Sequence, residues 1–331
     1  MFSVAEPISK SLIPIFNGGG RLLKVLDLKG SSLETLPDDV VKLFHLRYLS
    51  LRETKIKMLP KSIGKLENLE TLDLKDTHVT ELPVEILKLQ RLRHLLVYRH
   101  TKIYPIYNLY GFRAITGIEG LSSLQKLCFI EVNNDNGRIV VGEIGRLTQL
   151  RRLGIAKLRR EDGMRLCSSL QKLSNLLSLS LRAVDEDEIV DVQHLSSPPR
   201  FLQRLYLKGR LETVPHWITS LHNLVKVRLS LSKLRDDPLQ CLQDLPNLVQ
   251  ISLRQAYEGE ELCINATGFP KLKVFSLAQL DGLRWVRVAK GSMPHLDMLH
   301  FVDCKSLEEV PTGIEHLTNL KSLSSIVCQI N

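Results

Sequence analysis

At 331 residues, with 44% hydrophobic and 24% charged side chains, the chain has the balance of a soluble folded protein, yet it is longer than one compact core usually grows. No apolar run reaches the ~20 residues that a membrane-spanning helix needs. Forty-five basic residues against 36 acidic ones leave a net charge of +9, which points to an acidic protein surface, a membrane surface or nucleic acid as partner without choosing among them.

The first sixteen residues lack both a basic leader and an uninterrupted apolar core, so they do not read as a signal peptide. Phe2 and Val4 are spaced like the last two apolar positions of a strand that recurs downstream, so the chain is expected to begin inside a repeat. Gly18, Gly19 and Gly20 are followed by Arg21 and not by Gly-Lys-Ser/Thr, which reads as a bend and not as a phosphate-binding loop. Residues 1–20 are therefore expected to be a truncated leading repeat and bend, and 21–331 a repeat domain.

From Leu46 to Leu95 one phrase is said twice and begun a third time. Leu49, Leu72 and Leu95 stand 23 residues apart, each in Leu-x-x-Leu-x-Leu or a near variant. A fixed period in the low twenties with this pattern is the leucine-rich repeat signature. A single repeat cannot bury its own leucines, and stacked neighbours bury them together. With the fourth motif position as marker, units fall at Leu26, Leu49, Leu72, Leu95, Leu127, Leu153, Leu179, Leu205, Val227, Ile251, Phe275, Leu299 and Leu323. The expected fold is an α/β leucine-rich-repeat solenoid of about thirteen repeats, a horseshoe with a parallel concave β-sheet and short helical turns and loops on the convex side. The step from Leu95 to Leu127 is 32, which places an insertion near 99–120. The chain stops soon after Leu323 without a polar capping segment, and repeat arrays need caps, so a piece of a longer protein is expected.

Alternation sets direction within each repeat. Motif positions four and six point inward, and positions three, five and seven face the concave side. The ninth position is small and polar or a thiol (Ser31, Thr54, Thr77, Cys304), suited to bonding nearby backbone. Leu-Pro steps such as Leu36-Pro37, Leu59-Pro60 and Leu82-Pro83 turn the chain to the convex side, where short helical turns are expected because Pro is tolerated early in a helix.

Applied from Leu127 to Ile251, the rule puts eighteen residues on the concave side, from Lys126, Cys128 and Ile130 through Arg152, Gly154 and Ala156 to Gln250, Ser252 and Arg254. Eight are basic (Lys126, Arg152, Arg182, Arg204, Lys208, Lys226, Arg228, Arg254), none is acidic, and Tyr206 lies among them. This is either a contact surface for an acidic partner or an ordinary solvated face. The earlier repeats mix signs, with Asp27, Asp73, Lys29, Arg52 and Lys75. In the insertion Tyr98, Tyr104, Tyr107 and Tyr110 alternate with Arg99, His100, Lys102 and Arg113. They suit closing over the break in the stack or a protein contact; stacking on nucleic-acid bases is a weaker fit, since no nucleic-acid-binding module is present.

Other clusters point nowhere. Asp185 to Glu188 with Asp191 lacks the glycine and closing glutamate of a calcium loop, and the histidines show no metal-ligand spacing. No Gly-x-Ser-x-Gly elbow is present, and neither an enzyme nor a cofactor is expected. Trp217 and Trp285 suit the convex core. The six cysteines (128, 167, 241, 263, 304, 328) are scattered and none forms Cys-x-x-Cys, which favours a reducing compartment, and the single sequon at Asn265 is too little to argue for secretion.

The wording of residues 22–83, 111–134 (GFRAITGIEGLSSLQKLCFIEVNN), 147–155 (LTQLRRLGI) and 307–321 (LEEVPTGIEHLTNLK) resembles the leucine-rich-repeat region of plant intracellular nucleotide-binding disease resistance proteins of the coiled-coil class. The resemblance implies a cytoplasmic, protein-binding role in the defense response. In that plan the repeats sense a pathogen effector or a modified host protein and dock on a nucleotide-switch domain, which this chain lacks together with the signalling helix bundle. A free-standing intracellular scaffold and the substrate-reading arm of a ubiquitin ligase are the rival readings.

Overall fold

The structure, a computed structural model, describes residues 22–100, 109–133 and 136–326. The leading-repeat residues Phe2 and Val4, the glycine run, Lys102, Tyr104, Tyr107 and Cys328 lie outside the described residues. The chain divides into two compact units, Met1–Ala156 and Lys157–Asn331.

The repeat strands of the first unit are β1 (Val25–Asp27), β2 (Tyr48–Ser50), β3 (Thr71–Asp73), β4 (His94–Leu96), β5 (Lys126–Glu131) and β6 (Arg152–Leu158, whose last two residues belong to the second unit). Those of the second are β7 (Ser178–Ala183), β8 (Arg204–Lys208), β9 (Lys226–Ser230), β10 (Gln250–Arg254), β11 (Val274–Ala278), β12 (Met298–Val302) and β13 (Ser322–Ile326). Pairing is parallel, and marker pairs with marker: Leu26 with Leu49, Leu72 with Leu95 and Leu127 with Leu153 in one unit; Leu205 with Val227, Ile251 with Phe275 and Leu299 with Leu323 in the other. Register holds because a slip of one residue would turn each leucine toward water. Leu49, Leu72, Leu95, Leu205 and Phe275 have no exposed surface, and burying each such side chain contributes ~1.5–3 kcal/mol.

Four residues after many markers the backbone turns through positive φ, at Gly30, Glu53, Asp76, Lys157, Gly209, Leu231, Gln255, Gln279 and Asp303. This left-handed residue leads the chain out of each strand. Only glycine adopts it without cost, and elsewhere the repeat's hydrogen bonds hold it. Three of the ninth-position side chains then close the corner, while the buried Ser31 hydroxyl makes no such bond. Thr54 Oγ1 donates to Leu51 O at 2.7 Å, Thr77 Oγ1 donates to Leu74 O at 2.8 Å, and the Cys304 thiol donates to Leu277 O at 3.7 Å.

On the other side, 3₁₀ turns at Asp38–Lys42, Lys61–Lys65 and Val84–Lys88 each start behind a proline, whose φ of -61, -70 and -66° is already close to helical. The 23-residue repeats have room for no more. The 26-residue repeats have more chain to spend on the return, and the first two of them make two-turn α-helices, α1 (Gly137–Ile144) and α2 (Gly163–Leu170), while the third, before Leu205, makes none. Trp217 is buried in a fourth proline-led turn, His216–Ser220, and its indole N–H donates to Val192 O at 2.7 Å.

The insertion is tied into the first unit. Arg99–His100 pairs antiparallel with Leu109–Tyr110. Phe112–Arg113 then lies parallel to Ile130–Glu131, taking up the ladder beside β5 where β4 has ended. Gly111 must be glycine, because a Cβ there would lie 1.7 Å from Phe129 O. Its N–H donates to the buried Glu131 carboxylate at 2.9 Å.

One register expectation fails here. Ile130 is fully buried and not on the sheet's open face. Phe129 takes φ 56°, and the pairing of β5 with β6 jumps between Leu127 and Ile130. This bulge sets two residues against one and reverses the alternation beyond it. Cys128, Phe129 and Ala156 form an apolar cluster on that side, with Leu96, Tyr98 and Leu109 packed against it. Cys128 and Ala156 were expected to be open surface and are covered.

Candidate functional site

The open face of β8 to β10 is built by alternation alone; on β7, Ser178 and Ser180, expected on that face, are buried, and of the expected positions only Arg182 is not. In β8 to β10 the inward residues are fully buried or nearly so, and the residues between them are half-buried or exposed. Cross-strand register puts Arg182 beside Lys208, Arg204 beside Lys226, and Tyr206 beside Arg228. Neighbouring parallel strands lie ~4.8 Å apart, so the first two pairs are close approaches of like charge. Six of the twelve face positions on these strands are cationic and none is acidic. Among the described residues, no carboxylate pairs with Arg204, Lys208, Lys226 or Arg228. Arg228 instead lies over the Tyr206 ring, its guanidinium carbon 5.7 Å from the ring centroid.

The proton affinities record this crowding. Burial, and then the charge of Arg228, pull the Arg182 guanidinium down to about 10. Lys208 is lowered by burial and next by Arg182, with Glu186 opposing and Arg254 adding to the shift. Lys226 is lowered by burial, then by Arg228 and Arg204. The face therefore holds positive charge in a partly desolvated setting, where an incoming carboxylate replaces repulsion by attraction. Arg254 is held by its Nε donating to Gln279 Oε1 at 2.9 Å.

The first unit is different. The face cations of its early repeats are matched by carboxylates: Lys75 with Asp73 at 3.0 Å, Arg52 with Glu53 at 3.1 Å and Lys29 with Glu53 at 3.8 Å. Lys126 and Arg152 sit side by side and exposed on β5 and β6. Tyr98 packs edge-on to Phe129 with centroids 5.6 Å apart and to His100 at 5.1 Å, and burial raises its phenol. Tyr98 is thus engaged in packing against the Cys128, Phe129 and Ala156 cluster. Tyr110 is exposed, with the Arg99 guanidinium carbon 5.7 Å from its ring centroid.

Sequence reasoning passed over a second recurring device. Four residues before several markers stands an asparagine whose side-chain N–H donates to the preceding repeat: Asn68 to Phe44 O at 2.8 Å, Asn223 to Arg200 O at 2.9 Å, Asn247 to His222 O at 2.9 Å and Asn319 to Pro294 O at 2.6 Å. The signal was present as the spacing of Asn before Leu. A small two-stranded parallel sheet, Glu261–Ile264 with Trp285–Val288, lies apart from the main ladder and was also missed. Among the described residues, no group of His, Cys, Asp and Glu could hold a metal, and no helix is long and apolar enough to cross a membrane.

Comparison with known proteins agrees with this architecture. A family model described as leucine-rich repeat region matches residues 6–331. The chain is 44% identical over 317 residues to the disease resistance protein RPM1 of Arabidopsis thaliana, covering 95% of this chain and 33% of that protein. It is 30% identical over 235 residues to the disease resistance protein Pik-2 of Oryza sativa subsp. japonica, covering 62% of this chain and 22% of that protein. The chain therefore spans a third or less of the length of these relatives. Among solved structures, the plant peptide hormone receptor RGFR1 superposes with a TM-score of 0.59 at 17% identity, over 94% of this chain and 52% of that one. An internalin from Listeria monocytogenes gives 0.57 at 12% identity, over 90% and 85%. These two likenesses concern the fold alone.

Proposed function

The chain belongs to the leucine-rich repeat region family and is homologous to plant disease resistance proteins, and from that premise we propose that it is a protein-recognition surface acting in plant defense. It senses a pathogen effector or a modified host protein in the cytoplasm, and it docks on the nucleotide-switch domain of the same receptor. Its work is binding and not catalysis. The observation that carries this reading is the face of β7 to β10, where Arg182, Arg204, Lys208, Lys226, Arg228 and Arg254 surround Tyr206 without an acidic residue. Arg and Tyr are favoured anchors in protein interfaces, and a net positive face selects an acidic one.

The test is charge reversal. The fourfold variant R204E/K208E/K226E/R228E and the wild type are immobilised side by side and exposed to extract of pathogen-challenged leaf. Captured proteins are quantified in low and in high salt. Acidic proteins should be held by the wild type, released by salt and missed by the variant, with both proteins giving the same circular dichroism. Equal capture by a folded variant at both salt concentrations would overturn the reading.

A further inference from the structure

The cationic face ends abruptly. Register carries each of its three rows onward from β10, and the chemistry changes at that strand. The first row runs Arg204, Lys226, Gln250, Val274, Met298. The third row runs Lys208, Ser230, Arg254, Ala278, Val302. Between them the middle row runs Tyr206, Arg228, Ser252, Ser276, His300, Ser324. Over β11 and β12 the face thus has two apolar margins flanking a polar row, Ser276 and His300. These margins are open: Met298 is 39% exposed, and Val274, Ala278 and Val302 are half-buried. His300 is engaged with the Ser324 hydroxyl at 2.6 Å.

We infer that this face of the second unit takes one linear segment of a partner protein lying across the strands, its acidic part over β8 to β10 and its aliphatic part over β11 and β12. The inference rests on the reading of the cationic face as a protein-binding surface and adds the partner's polarity and length. Charge complementarity places the acidic part. The aliphatic part follows because a wholly acidic occupant would leave the β11 and β12 margins in water, while Val274, Ala278, Met298 and Val302 offer apolar area continuous with the cations. A nucleic acid fits less well, because the face beyond β10 presents neither a lysine or arginine for phosphate nor a Tyr, Trp or Phe ring for base stacking.

The dimensions bound the occupant. From β8 to β12 there are four strand intervals of ~4.8 Å, roughly 19 Å in all. A helix rising ~1.5 Å per residue spans this in about 13 residues, and an extended chain in about six. Half of that length belongs to each chemistry.

The experiment uses the whole 331-residue chain and four labelled probes followed by fluorescence anisotropy. The block peptide carries eight residues of Glu and Asp followed by eight of Leu, Val and Ser. Its reversed-order partner carries the same blocks in the other order. The alternating peptide has the same composition interleaved. The fourth is a single-stranded DNA of similar charge. One of the two block peptides should bind at least tenfold more tightly than the alternating peptide. M298E should remove that advantage and leave binding of the alternating peptide within twofold, and A278D, checked by circular dichroism, should do the same. R228E should weaken all peptides. Salt-dependent binding without any difference between block and alternating peptides would overturn the inference and leave the cationic surface standing. Peptide binding insensitive to both salt and R228E would overturn both. DNA binding equal to or tighter than the better block peptide would replace the proposed occupant.

Discussion

Arg182 should cost the protein stability and serve its binding, so replacing it should move the two in opposite directions. Its guanidinium is mostly buried at the edge of the cationic face, beside Lys208 and near Arg228, with Glu186 the acidic group nearby that acts on Lys208. The fall of its pKa from the ordinary guanidinium range to about 10 corresponds, at about 1.4 kcal/mol per pH unit, to a ceiling of roughly 3 kcal/mol against the charged folded state. Solvent screening and the loss of the contacts that Arg182 makes reduce the gain from R182Q to about 1 kcal/mol. The sign follows from proton counting. The unfolded chain holds this proton more tightly than the folded one, so the penalty is present in full below pH 10 and fades as pH rises through the lowered value. Urea unfolding at pH 7 should therefore show R182Q more stable than the wild type. The difference should shrink in high salt, where the repulsion from Arg228 and Lys208 is screened. Affinity for an acidic peptide should fall in the same variant. An R182Q protein that is less stable than the wild type, or whose stability difference ignores salt, would refute the idea that the cations crowd one another.

Two further changes probe how the repeats are held. W217F leaves Val192 O without its donor and a gap where the pyrrole ring packed, so ~2–4 kcal/mol should be lost. Because stability in a repeat array resides in nearest-neighbour interfaces, hydrogen exchange should accelerate most in β7 to β9, and a uniform acceleration would contradict this. Gln255 is exposed and takes φ 48° at the exit of β10, so Q255G should be neutral or stabilising by up to about 1 kcal/mol in the same urea assay, while Q255V should destabilise.

What could be read from residues alone was whatever repeats or alternates. The period set by Leu49, Leu72 and Leu95 located the repeat strands, because a leucine facing water every second residue would forfeit the whole core. The proline before four of the turns (Pro37, Pro60, Pro83 and Pro215) marked the return path, since its fixed φ permits little else. Alternation placed Arg204, Tyr206, Lys208, Lys226 and Arg228 on one face, and charge arithmetic showed that face to be unbalanced. What needed tertiary structure was everything set by a neighbour at long range. The bulge at Phe129, which buries Ile130, depends on Gly111 coming within touching distance of its carbonyl and on Tyr98 covering Cys128. Nothing in residues 126–131 encodes either contact. The depressed affinity of Arg182 for its proton likewise comes from its burial in the folded sheet and then from Arg228, two strands away. The change at β10 from cations to valine, alanine and methionine is written in the chain as residues 24 apart. Only parallel register, strand against strand, makes them adjacent and turns three separate phrases into one surface.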